Sequence, residues 1–187
     1  MTDITARAAG SFDGPPEIDQ LVVRYQKLHP DVQLPRKESA GAAGRDVRAY
    51  LLGTKVKFWT GQGVIERGPD TSVDPPFIRI LPSERAIIPT GFRMALPPGY
   101  EMQVRPRSGA SFKKGLHILN APGTIDADYR GEVGIVVTNV SQVSLYIEHG
   151  ERIAQIVLAK VPELPEIEVE SLDDTERGEG GFGSTGT

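Results

Sequence analysis

The 187-residue sequence contains no cysteine. That excludes disulfides, thiolate metal sites and a cysteine nucleophile. It also lacks any apolar run approaching the roughly 18 residues that mark a membrane span, so no membrane partner is expected. Positive charge is scarce: 21 Lys and Arg against 25 Asp and Glu leave a net charge of −4 and a pI near 5.4. No global field draws in nucleic acid, so no nucleic-acid partner is expected, and any phosphate must be held by local groups. The N-terminus is polar and acidic rather than signal-like, which gives a cytoplasmic expectation. There is one tryptophan, Trp59. The length suits a single domain with its own core.

Glycine and proline, by contrast, are frequent, at 21 and 15 residues. They punctuate short apolar runs at intervals typical of β proteins. Phe92, Met94 and Leu96 alternate with polar or small residues before Pro97-Pro98-Gly99 ends the run, and Val133, Ile135 and Val137 alternate likewise. Residues 153–158 are apolar on nearly both faces, as in a strand buried within a barrel or interface. Ile18, Leu21, Val22, Tyr25 and Leu28 fit a helix period, but Leu21–Leu28 fits a strand equally well. Three segments stand apart. Residues 1–20, polar up to Gly14-Pro15-Pro16, suggest a flexible arm. Residues 54–80 hold Phe58 and Trp59 before Thr60-Gly61-Gln62-Gly63 and end near Asp74-Pro75-Pro76, which suggests an exposed strand and turn followed by a long loop. Residues 171–187 finish in a glycine-rich run that cannot hold a structure alone, because glycine loses the most entropy on ordering.

Four segments between these carry chemistry. In Arg105-Pro106-Arg107-Ser108-Gly109-Ala110 a single turn offers side-chain charge and backbone N–H groups to phosphate oxygens, although such turns are often structurally neutral. From Gly115 to Asp126 an apolar strand, a turn and a second strand form a hairpin whose backbone can read a planar base. Asp126 and Asp128 follow on one face. They are either solvated turn residues or a carboxylate pair from which one orients a water as general base or holds a metal ion. Tyr129 is either a core aromatic or a platform for a sugar. Asp46, in Ala43-Gly44-Arg45-Asp46, has the setting of a turn residue. Gln155 sits in an otherwise apolar strand, so its amide needs a partner, either a ligand oxygen or neighbouring backbone. His29, His117 and His149 lack metal-ligand spacing.

Taken in order, these segments resemble the five motifs of the trimeric dUTPase family. The first is Ala-Gly-Ala-Ala-Gly-Arg-Asp-Val-Arg-Ala at 40–49. The second is Pro-Arg-Ser-Gly-Ala at 106–110, where the family more often has leucine before the alanine. The third runs from Asn120 to Asn139 around Gly-Thr-Ile-Asp-Ala-Asp-Tyr-Arg-Gly-Glu. The fourth is Gly-Glu-Arg-Ile-Ala-Gln at 150–155, and the fifth is Arg-Gly-Glu-Gly-Gly-Phe-Gly-Ser-Thr-Gly at 177–186. The resemblance implies an all-β subunit of β-barrel or jelly-roll character. The domain would span 21–170, with an insertion near 54–80 of some twenty residues and a C-terminal lid over 171–187. It also implies a homotrimer with exchanged C-terminal tails, in which each site draws on three chains, and it turns residues 21–28 into a strand.

The roles implied at matching positions are specific. Asp126 would hold the water that attacks the α-phosphorus of dUTP, giving dUMP and pyrophosphate. Arg107, Ser108 and Gly109 would cradle phosphates, and Gln155 would add an amide contact. The hairpin of Asn120, Gly123, Thr124 and Ile125 would read uracil, and Tyr129 would pack on deoxyribose where a 2′-hydroxyl would clash. Phe182, with Gly183 beside it, would stack on uracil while Arg177, Ser184 and Thr185 grip the outer phosphate. Mg²⁺ is the implied cofactor, carried mainly by substrate phosphates, with Asp46 supporting its hydration shell through water.

Two other readings compete. The related dCTP deaminases need a glutamate in the strand after the third motif. Here that position holds Val136, which cannot carry a proton, and Glu132 lies on the wrong side of the strand start. Alternatively, the fold serves as a regulatory binding module, with the 54–80 insertion as the surface for an unknown protein partner.

Overall fold

The computed structural model describes residues 21–180. The N-terminal arm and the last seven residues therefore lie outside it. Strand β1 (Arg24–Lys27) pairs antiparallel with β7 (Phe92–Ala95), so the segment that also fitted a helix is a strand. Three of the four residues of β1 are exposed, and only Tyr25 turns inward, edge-on to Phe92 at 5.8 Å. With one inward residue in four, the periodicity of this run reflected neither a helix face nor a half-buried strand.

Two larger sheets carry the architecture. One is formed by β2 (Arg45–Arg48), β8 (Tyr100–Arg105), β10 (Gly123–Ile125) and β13 (Arg152–Lys160), in the order β10-β8-β13-β2. The other is formed by β3 (Val56–Trp59), β4 (Val64–Arg67), β6 (Arg85–Pro89), β9 (Leu116–Ile118) and β11 (Gly134–Asn139), in the order β4-β3-β6-β11-β9. A two-stranded sheet joins β5 (Phe77–Ile80) to β12 (Leu145–Glu148). The alternation seen in the sequence has its physical counterpart. Ile135 and Val137 face one apolar core with Phe92, Met94, Met102 and Ile118, all buried. In β13 the register slips between Arg152 and Ala154, which lets Ile153 and Ala154 both be buried although they are neighbours in a strand.

Three local expectations need correction. The segment after Arg107 is a short helix, α1 (Ser108–Lys114), not an open turn. Gly115 closes it at φ 69°, and Lys113 and Lys114 complement its C-terminal carbonyls. Segment 54–80 is more than a strand, a turn and a loop, since β3 and β4 form a hairpin and β5 follows. Nor is Phe58 exposed. It is 1% exposed in the core with Val56, while Trp59, on the opposite face of the strand, stays open at 46%. Ile78 and Ile80 at the other end are buried as well, so both ends of this segment are built into the domain.

Candidate active site

At one end of the first sheet, the expected phosphate-binding residues come together. Asp46 on β2 accepts from Arg107 Nε at 3.0 Å through Oδ1 and from Arg152 Nη1 at 3.2 Å through Oδ2. Arg107 also donates to the Arg152 carbonyl at 3.2 Å. Glu38 lies 3.5 Å from the same Arg152 nitrogen. Gln155 on β13 donates through Nε2 to the Pro106 carbonyl at 2.8 Å, which supplies the backbone partner its burial requires. Its Oε1 rests against Gly44, where a Cβ would come within 2.2 Å. Segments far apart in sequence thus hold Arg107 at the start of α1, with Ser108 and Gly109 as the first helical residues, whose N–H groups have no intrahelical acceptor. Arg152 and Glu38 were not anticipated as part of this cluster. The signal for Arg152 was its place inside the fourth motif, and for Glu38 there was none.

Each Asp46 oxygen accepts one guanidinium donor, which leaves lone pairs that a metal-bound water could still use. Among the described residues no three Asp, Glu, His or Cys side chains gather as a direct cation site, so an ion here would be carried by substrate phosphates with Asp46 reaching it through water.

The second group sits on the hairpin. Gly123 lies so close to Asn120 that a Cβ there would meet the Asn120 amide at 2.8 Å. Beyond β10, a cleft of about 170 Å³ is lined by Thr124, Ile125, Asp126, Tyr129, Val133 and Gly134. Asp126 and Tyr129 are both exposed there, and the Asp126 carbonyl accepts the Tyr129 N–H at 3.2 Å. The Tyr129 hydroxyl donates to the Glu132 carbonyl at 3.0 Å, and its ring lies directly over Gly131.

These two groups lie apart along β8. The register pairs Gly123 with Val104, Thr124 with Gln103 and Ile125 with Met102, so Asp126 leaves the sheet at the level of Glu101. Arg105 is four positions further on, or about 13 Å at roughly 3.3 Å per residue, and Arg107 is two residues beyond that. The tail residue Arg177 is exposed and, among the described residues, donates through its side chain to the nearby Gly180 carbonyl at 2.8 Å. Phe182, Gly183, Ser184 and Thr185 lie outside the described residues.

A larger apolar groove of about 240 Å³ lies elsewhere, between Trp59, Val64, Ile87, Leu119 and Val136. It offers almost no polar surface and none of the expected phosphate ligands.

Comparison with known proteins places these features. The family model described as dUTPase matches residues 70–186. The deoxyuridine 5′-triphosphate nucleotidohydrolase of Bdellovibrio bacteriovorus is 46% identical over 172 residues, covering 90% of this chain and 99% of that protein. The enzyme of the same name from Caulobacter vibrioides is 44% identical over 168 residues, covering 89% and 95%. Among solved structures, the Staphylococcus bacteriophage 80alpha dUTPase with dUPNHPP superposes with a TM-score of 0.69 at 26% identity, covering 89% of this chain and 99% of that one. By family match, by identity along nearly its whole length and by fold, the chain belongs to the dUTPase family.

Proposed function

We propose that this protein hydrolyses dUTP to dUMP and pyrophosphate, in sites that each combine parts of three copies. The observation that carries the composite site is the separation along β8. One chain holds its Asp46–Arg107–Gln155 cluster and its Asp126–Tyr129 cleft at different levels of the same sheet. A triphosphate gripped by Arg107 of one copy would therefore present its α-phosphorus to Asp126 of another.

Phosphoanhydride hydrolysis is mainly a matter of positioning and charge neutralisation. Arg107, held rigidly by Asp46, supplies fixed positive charge, and the Ser108 and Gly109 N–H groups supply neutral donors. Gln155 Nε2 has a second proton free for a phosphate oxygen after its bond to Pro106. Asp126, exposed in the cleft, takes a proton from the attacking water. The hairpin of Asn120, Gly123, Thr124 and Ile125 reads the uracil edge, and Tyr129 packs on deoxyribose. Phe182, Gly183, Ser184 and Thr185, with Arg177, form the closing lid that excludes water. A Mg²⁺ ion carried by the triphosphate would neutralise phosphate charge, and Asp46, besides anchoring Arg107, would support its hydration shell through water.

The test is pyrophosphate release from dUTP by the wild-type chain and by Asp126→Asn. The wild type is expected to turn over dUTP, with dCTP, dTTP and UTP poorer by orders of magnitude. Asp126→Asn is expected to bind dUTP and lose nearly all turnover, since an amide cannot accept the proton. Full activity of Asp126→Asn with a dead Asp128→Asn would move the base to Asp128.

A further inference from the structure

We infer that Glu132 is the positioning residue for Tyr129, and so sets the discrimination against a 2′-hydroxyl; this rests on the dUTP-hydrolysis reading. Tyr129 is half-exposed at the cleft beside Asp126. A half-exposed ring can reject one extra oxygen on a sugar only if it is held in place. Its own backbone does little of that holding, because residues 126–133 form no strand.

The holding comes from Glu132. The Tyr129 hydroxyl donates to the Glu132 carbonyl at 3.0 Å. The Glu132 carboxylate reaches to the turn between β6 and β7 and accepts the Gly91 N–H at 2.7 Å. Gly91 is itself closely packed. It adopts φ 73°, and a Cβ there would come within 2.6 Å of Val32 and 3.0 Å of Tyr50. The next residue of the segment is tied to the same turn twice. Thr90 donates its hydroxyl to the Val133 carbonyl at 2.6 Å, and Val133 N–H donates to Phe92 at 3.0 Å. Beneath the ring there is no slack, since a Cβ on Gly131 would meet the Tyr129 hydroxyl at 2.3 Å. The fixed turn thus holds Glu132, and Glu132 holds the far end of the tyrosine. A hydrogen bond to a charged acceptor is about twice as strong as a neutral one, and the tie to Gly91 is the one made by the side chain of Glu132 itself, the residue whose carbonyl holds the Tyr129 hydroxyl.

The experiment measures dUTP and UTP hydrolysis by the full chain and its Glu132 variants, together with NMR of the Tyr129 ring in ligand-free protein. Glu132→Ala is expected to raise KM for dUTP and to lower the ratio of kcat/KM for dUTP over UTP by about ten-fold or more, while Tyr129 resonances shift. Glu132→Gln keeps an acceptor oxygen and is expected to hold that ratio within about three-fold of wild type. A purely structural role would lower both substrates together and leave the ratio intact. If Glu132→Ala does not fold, Glu132→Asp replaces it: the charge remains, but the shorter arm must drag the segment to reach Gly91, and the ratio should again fall. A folded Glu132→Ala or Glu132→Asp with the wild-type ratio and unshifted Tyr129 resonances overturns the inference. A wild type that does not turn over dUTP sinks the parent reading instead, and the Tyr129 resonances then decide the positioning on their own.

Discussion

Arg107 Nε donates to Asp46 Oδ1 at 3.0 Å, across 61 residues of sequence and between the start of a helix and the edge strand of a sheet. The Asp46 side chain is 13% exposed and that of Arg107 26%, so solvent screens the pair only in part. Asp46→Ala removes the carboxylate shared by two guanidinium groups, leaving Arg107 without its partner and Arg152 with only Glu38 at 3.5 Å. It is expected to lower kcat/KM for dUTP by roughly 10- to 100-fold, equivalent to about 1.4–2.8 kcal/mol. Stability should fall by about 1–3 kcal/mol, since removing one partner of a partly buried pair strands the other. Asp46→Asn, which keeps one acceptor, should lie between. Steady-state kinetics and urea denaturation on the same samples check both. An unchanged kcat/KM in Asp46→Ala would mean that Arg107 needs no anchor.

Gly44→Ala should separate activity from stability. The backbone at Gly44 tolerates a side chain, but the new Cβ would lie 2.2 Å from Gln155 Oε1. That atom is the end of a flexible side chain, so it will move, and in moving it breaks the bond from Nε2 to Pro106. The expected stability cost is about 1 kcal/mol, the value of one neutral hydrogen bond. The expected loss in kcat/KM is at least about ten-fold, because a misplaced amide loses its phosphate geometry. Equal and small effects on both would remove Gln155 from the phosphate-binding set.

How much of this was legible in the sequence depended on whether the signal was local. Alternation located β7 and β11, because each has one face on the core. It said nothing firm about β1, where a single residue of four turns inward. The helix after Arg107 was hidden because Ser108-Gly109-Ala110 reads as a turn. In the structure Ala110 packs into the core at 7% exposure and Gly115 caps the segment, which together accommodate it as a helix. The order of the motifs gave the family and the candidate residues, yet not the bonds among them. The pairing of Asp46 with Arg152 spans 106 residues, and that of Glu132 with Gly91 spans 41. No composition or spacing rule reports such contacts.

The 54–80 segment illustrates the same limit with a measurable consequence. The Arg67 guanidinium on β4 stands 3.3 Å over the Phe58 ring and 2.7 Å from Glu84. A deletion of residues 60–74 removes Arg67 and bares one face of a core aromatic. It is expected to cost about 2 kcal/mol or more, from a lost cation–π contact and exposed ring surface. dUTP hydrolysis by the protein that still folds should stay within a few-fold, because the deletion touches neither the Asp46 cluster nor the Asp126 cleft. Thermal unfolding and turnover of the deletion variant check this. Preserved stability would show that the hairpin is a dispensable appendage, and lost trimers would place Trp59 between subunits.

The shared site can be tested by mixing two inactive chains. Take Asp126→Asn and a chain truncated after Glu176, which lacks Arg177 and the glycine-rich tail. On the proposed mechanism the first variant lacks the base and the second lacks the lid, so each alone is expected to be nearly dead. Unfold them and refold them together in equal amounts. In the proposed three-chain site, a closed three-fold ring would take the Asp126 of every site from one chain and its tail from another, in the same rotational sense. Whichever chain is in the majority, a mixed ring then contains one site of three with Asp126 from a truncated chain and a tail from an Asp126→Asn chain. Random assembly makes about three-quarters of the rings mixed, so activity should return to roughly a quarter of wild type. If Asp126 and the tail of a site came from the same chain, no mixed ring could hold a complete site and mixing would restore nothing. That result would leave the family assignment standing and remove the three-chain site.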